Sequence, residues 1–142
     1  MIFTRSQINL FIFVVIILGS VGFVMVWFNY ILECETQVIS KNVSPNENLI
    51  AVVYGRSCGS TEGYTTHVSL LKDKIEPPSF AGNILVVDSN YQRAPSDDLG
   101  ITTIAVEWLS QNKIALTYSK KVRVFRSNKE HHGVTVVHRL QD

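Results

Sequence analysis

The stretch LIAVVYGRSCGSTEGYTTHVSLL, residues 49–71, decides the fold class. Residues 49–54 form an unbroken apolar run rich in β-branched side chains. Residues 55–63 are mostly Gly, Ser and Thr around one cysteine. Residues 64–71 return to Thr, Val and Leu. Apolar runs this short suit strands, not helices, and the glycine-rich middle suits a chain reversal. The stretch therefore predicts two strands joined by a loop.

The same alternation continues toward the C-terminus. Strands are expected at 83–89, 101–108, 113–118, 122–125 and 134–138. Between them lie Pro77-Pro78, a polar loop over 94–100 with Pro95, Asp97 and Asp98, and a turn over 110–113. No segment here shows sustained helical periodicity with caps. The expected fold is all-β: a small antiparallel β-sandwich or an open β-sheet. Ser44-Pro45-Asn46-Glu47-Asn48 and Trp108-Leu109-Ser110-Gln111-Asn112-Lys113 each resemble the opening turn of a propeller blade. A closed propeller needs at least four blades of about 40 residues, and this chain has no room for them.

Toward the N-terminus, residues 36–40 read as a weak first strand, and residues 10–32, LFIFVVIILGSVGFVMVWFNYIL, contain no charge. As a helix this run reaches roughly 30 Å or slightly more, a bilayer core. Trp27 and Tyr30 lie near one end, as in an aromatic belt. Gly19 and Gly22 are three apart and miss the small-xxx-small dimer spacing. A cleaved signal peptide needs a shorter core and small residues at its exit, and Glu33 before Cys34 argues against lipidation. Three segments are expected: a cytoplasmic N-terminus (1–9), a transmembrane helix (10–32) and an extracytoplasmic β-rich domain (33–142). Arg5 before the run, against Glu33 and Glu35 after it, places the domain periplasmic or extracellular by the positive-inside tendency. The localisation expected is the cell (inner) membrane, crossed once.

Cys34 and Cys58 are the only cysteines. They form no C-x-x-C motif and lack the histidine partners of a zinc site. One disulfide in an oxidising compartment is the economical reading, and two unpaired thiols in a cytoplasmic domain is the alternative.

The run Arg56-Ser57-Cys58-Gly59-Ser60-Thr61-Glu62-Gly63-Tyr64-Thr65-Thr66-His67-Val68-Ser69 resembles a bacterial motif, roughly R-D-C-G-A-T-T-G-F-S-T-Q-V-S. In that membrane-anchored family of unknown function it follows a membrane helix, a cysteine and an S-P-D-G-K turn. A glycine-asparagine strand comes next, matched by Gly82-Asn83, and a tryptophan-led strand lies near the end, matched by Trp108. Ser57, Ser60 and Glu62 depart from the motif. The resemblance implies the topology, compartment and disulfide, and no activity.

No catalytic constellation and no metal or cofactor site is expected. His67 reads as a packed strand residue. His131 and His132, on extended chain, would point to opposite faces. Asp97-Asp98 reads as a solvated loop. Net charge is +1, and beyond Glu33 acids and bases balance, so there is no bulk case for nucleic acid. The charges are nevertheless segregated. Residues 73–107 hold six acids and two bases, whereas 113–142 hold seven bases and two acids. The expected function is a membrane-anchored binding or interaction module of the cell envelope. Its expected partners are the lipid bilayer, through the helix, and an envelope protein or anionic polymer. The candidate surface is Arg56, Ser60, Thr61 and Thr65 in the cysteine loop, with Lys120, Lys121, Arg123 and Arg126 around a late hairpin. The alternative is a small inhibitor or immunity-type protein against an envelope-active toxin or hydrolase.

Overall fold

The computed structural model describes residues 5–31, 34–59, 63–72 and 81–142. The chain divides into two units, Met1–Glu33 and Cys34–Asp142. Pro77-Pro78 lies outside the described residues.

The first unit contains α1 (Arg5–Ile31), 27 residues long and so about 40 Å. Apolar side chains lie on every side of its axis, as hydrocarbon requires and an amphipathic surface helix does not show. Over Asn9–Trp27 it is long and apolar enough to cross a membrane once. Ser20 returns its hydroxyl to the Ile17 carbonyl at 2.8 Å, so its donor is satisfied within the helix.

The second unit is all-β. Among the described residues its strands are β1 (Glu35–Val43), β2 (Ile50–Ser57), β3 (Thr65–Leu71), β4 (Leu85–Asp88), β5 (Ala105–Ser110), β6 (Lys113–Ser119), β7 (Arg123–Ser127), β8 (Glu130–His131) and β9 (Val134–Gln141). They form a five-stranded sheet, β1-β2-β3-β4-β7, and a four-stranded sheet, β5-β6-β9-β8. Alternation along the strands sends Ala51, Val53, Val68, Leu70, Leu85 and Val87 from the first sheet into one apolar cluster. Ile114, Leu116, Tyr118, Val134 and Val136 of the second sheet complete that cluster, with Val106 and Trp108 packed against it. The arrangement is a sandwich. Trp108 Nε1 donates to the Asn42 carbonyl at 3.1 Å and joins the two sheets along the β1–β5 side.

Three features differ from the sequence expectation. The sheets are not wholly antiparallel, because β6 and β9 run parallel from Lys113↔Thr135 to Ser119↔Gln141. The chain leaves β6 for β7 in the other sheet and then returns, so β9 arrives beside β6 in the same direction. That return uses β8, which is too short to read from a pattern. It pairs with β9 around His132 and Gly133, both at positive φ, a tight hairpin turn. Finally, the strand expected from residue 101 begins at Ala105. Residues 101–104 instead cap the end of the first sheet. Thr66 Oγ1 accepts the Thr102 amide at 2.8 Å, and Asp97 Oδ1 accepts the Ile101 amide at 2.8 Å. Side chains thus replace the ladder as partners for these amides.

Candidate functional site

The strands β2 and β3 are buried on both faces. Their inner face feeds the core, and their outer face mixes Ile50, Val52 and Leu71 with Tyr54, Arg56, Thr65, His67 and Ser69. Tyr54 and His67 are register partners there and stack with ring centroids 5.2 Å apart. The Tyr54 hydroxyl shares a hydrogen bond with Ser69 at 3.1 Å. Gly82 donates its amide to His67 Nδ1 at 2.8 Å, so that nitrogen carries no proton. His67 Nε2 therefore bears the hydrogen and donates to Thr65 Oγ1 at 2.7 Å. Thr65 passes its own proton to the Arg56 carbonyl at 3.1 Å. From Gly82 through His67 and Thr65 to the Arg56 carbonyl each donor has one direction.

Two guanidinium groups flank the relay. Arg126 donates to the Gly82 carbonyl at 2.9 Å. Arg56 turns its Nε to the Cys58 sulfur at 3.4 Å, and its buried Nη1 has no hydrogen-bond partner among the described residues. Burial, and then the charges of Arg56 and Arg126, push His67 down to a pKa of about 4 from its ordinary 6.5. The fold thus favours neutral His67. Its contribution is fully present above the unfolded value near 6.5 and is lost as pH falls from there toward 4. Discounted for solvent screening, the loss is about 2 kcal/mol. Urea midpoints measured from pH 7 to pH 4.5 should fall accordingly, and the fall should flatten in His67→Asn. An equal slope in both proteins would assign the acid sensitivity elsewhere.

The late basic residues separate by role. Lys120 and Lys121 form the turn between β6 and β7, where Lys120 pairs with Asp142. Arg123 binds Asp88 and lies between the rings of Tyr91 and Phe125, at 5.4 and 4.9 Å from their centroids. Arg126 donates to the Gly82 carbonyl beside the relay but keeps an exposed side chain. The four residues expected to form one patch therefore contribute two exposed turn lysines, one cation beside two aromatic rings and one exposed cation anchored to a backbone carbonyl.

The structure adds residues that the sequence reading missed. Asn90, Tyr91 and Gln92 all adopt positive φ, a conformation costing roughly 1 kcal/mol or more each in non-glycine residues. Local bonds hold them. Asp88 Oδ1 accepts the Asn90 amide at 2.8 Å, Ser89 Oγ accepts the Gln92 amide at 3.2 Å, and Asn90 Nδ2 donates to the Lys121 carbonyl at 3.1 Å. This left-handed turn leaves Tyr91 83% exposed beside Phe125, itself 56% exposed. It also places Arg93 beside Lys120 and Lys121 in an open depression of about 500 Å³ lined by Asn90 and Val122. Neither Arg93 nor Lys121 takes part in an ion pair among the described residues. Asn90, with its tolerance of left-handed geometry, was the one local signal available.

Of the cysteine-loop candidates, Arg56 and Thr65 are register partners on β2 and β3. Both are committed to the relay and the sulfur, and neither forms an open surface. Ser60 and Thr61 lie outside the described residues. Cys34 and Cys58 are joined by a disulfide. Asp97 accepts the Leu99 and Ile101 amides and so shapes its loop. His131 and His132 do not diverge as expected. Their rings lie 4.2 Å apart, because positive φ at His132 takes that residue out of extended geometry. Among the described residues no group of three or more His, Cys, Asp or Glu could hold a metal ion. No family model, no curated protein and no solved structure matches this chain.

Proposed function

We propose that this chain is a binding module of the cell envelope. Its helix spans the inner membrane, its N-terminus is cytoplasmic, and its β-sandwich faces the extracytoplasmic side. The disulfide supports that side, because such bonds persist in oxidising compartments. The partner is an anionic envelope polymer, engaged through the corner built by the left-handed turn and the β6–β7 turn. One observation carries this reading. Arg93 and Lys121, from separate loops, line one open depression and form no ion pair among the described residues, next to exposed Tyr91 and the stacked Arg123; both also line an adjoining depression with Asp97 and Asp98. Convergent unpaired cations beside an aromatic ring suit phosphate or carboxylate groups on a chain.

The test is retention of the full chain, in detergent, on an immobilised polyglycerol phosphate. Retention is expected at low salt and should weaken as salt screens the charges. The double variant Arg93→Glu/Lys121→Glu should bind at least tenfold more weakly. Lys113→Glu, at the opposite end of β6, should bind as the parent does. Absence of retention, or equal loss in both variants, would overturn the reading. The topology is tested separately by alkylating whole cells with a membrane-impermeant thiol reagent after outside reduction. Labelling only after the cells are opened would place the domain on the wrong side.

A further inference from the structure

The disulfide continues the β1–β2 ladder. Glu35 faces Ser57 and Thr36 faces Arg56 in antiparallel register, so Cys34 and Cys58 occupy the next opposed pair. Side chains two apart on a strand share a face, which places Arg56 and Cys58 on the same side of β2. The contact follows from that placement: Arg56 Nε lies 3.4 Å from Cys58 Sγ. The guanidinium is otherwise poorly compensated. Its Nη1 is buried without a partner, and it is in no ion pair among the described residues. A buried, unpaired donor on a cation is costly unless an anion arrives. A disulfide sulfur is a weak acceptor and carries no charge.

We infer that Cys34–Cys58 is a thiol-exchange site in which Arg56 holds the departing Cys58 sulfur as a thiolate. The thiolate of an external dithiol attacks Cys34 Sγ, which is part-buried where Cys58 is exposed, so the choice of sulfur rests on Arg56 and not on access. The new sulfur–sulfur bond forms at Cys34 as the Cys34–Cys58 bond breaks, and its electron pair leaves on Cys58. The second thiol of the dithiol, after losing its proton to water, attacks its own sulfur in the mixed disulfide. Cys34 is released as a thiolate and takes a proton from water. The protein disulfide is reduced by two electrons, and the dithiol is oxidised to its disulfide.

Arg56 acts on the direction and position of this exchange. A leaving thiol of lower pKa departs faster, so attack at Cys34 is preferred to attack at Cys58. Stabilising one thiolate also favours the reduced form, opposing the loop-closure entropy that favours the bond. Other ionisable groups stand differently toward Cys58. Glu35 shares the opposite face with Ser57 and engages the Tyr64 hydroxyl, an interaction that pushes Tyr64 up. His67 lies across the ladder, two pairs beyond the Arg56–Thr65 pair and neutral at ordinary pH. Arg56 is therefore the cation available to a Cys58 thiolate among the described residues.

The test uses the full chain in detergent, reduced with dithiothreitol, desalted and alkylated with iodoacetamide across pH 5 to 10. Peptide mapping assigns each thiol. The Cys58 midpoint is expected at least one unit below that of an ordinary cysteine, about 8.5, and below that of Cys34. It should return toward the ordinary value in Arg56→Gln and stay low in Arg56→Lys, which keeps the charge. In a second measurement, brief exposure of the oxidised chain to glutathione should leave the adduct on Cys34. A wild-type Cys58 midpoint at or above that of Cys34 overturns the inference without any variant. So does an adduct found mainly on Cys58.

Discussion

Replacing Gly82 with alanine is expected to destabilise the β-domain by about 3 kcal/mol, the upper range for overpacking a rigid site. The added Cβ would lie 2.7 Å from the Leu85 carbonyl oxygen, 2.9 Å from the Val68 carbonyl oxygen and 3.0 Å from the Val68 nitrogen. These are backbone atoms of β3 and β4, and no rotamer change can move them. Gly82 must also keep its place to serve the buried relay. Its amide donates to His67 and its carbonyl accepts from Arg126. A shift that relieves the clash would therefore loosen the partner of buried His67 and the anchor of Arg126. Urea unfolding of the full chain, followed by β-sheet circular dichroism, gives the comparison. Gly63→Ala is the matched control, because among the described residues nothing lies within 4 Å of a Cβ built there. A Gly82→Ala midpoint equal to that of the control would mean that this backbone is far softer than its geometry implies.

Loss of the disulfide is the second large effect. Cys34 and Cys58 are separated by 24 positions, and closing such a loop restricts the unfolded chain by roughly 3 kcal/mol. The folded side of the balance is favourable too. The bond lies in register at the end of the β1–β2 ladder and asks for no displacement of either strand. β1 is an edge strand with exposed Val38, Ile39 and Val43, so it buries little apolar surface of its own. Its first residues depend on the cross-link more than a central strand would. The double variant Cys34→Ser/Cys58→Ser should thus lose about 3 kcal/mol by urea unfolding. Amide exchange should accelerate first at Glu35 to Val38, while the β2–β3 amides stay protected. Uniform acceleration across both sheets would instead indicate global loss of the fold. An unchanged midpoint would show that the bond contributes nothing.

Local chemistry made much of the fold legible. Residues 49–54 are apolar without interruption, and β2 is indeed buried on both faces. The turn before it closes as its residues suggest, with Ser44 Oγ accepting the Leu49 amide at 3.0 Å. The long apolar N-terminal run forms a helix, and the two cysteines are bonded. The candidate surface was read less well. Its lysines lie in a turn as expected, but that turn crosses from one sheet to the other and closes no hairpin, and composition could not reveal that Arg123 is engaged by Asp88 or that Arg126 is anchored to the Gly82 carbonyl. Arg93 was hidden in an acid-rich segment, and it reaches Lys121 only because an unusual left-handed turn brings it there.

The sequence by itself determined what depends on neighbours along the chain. Apolar length, strand-sized runs, turn residues and the absence of helical caps act over a few residues, so they specify a membrane-length helix followed by strands. Tertiary structure alone decided which strands pair, in which direction and on which side of the sandwich. The parallel β6–β9 pairing, the capping role of residues 101–104 and the meeting of Arg93 with Lys121 all arise from contacts between distant segments. Such contacts are selected by the shape and burial of the whole core. No window of sequence contains that information, because the free energy of each pairing depends on what every other strand has already covered.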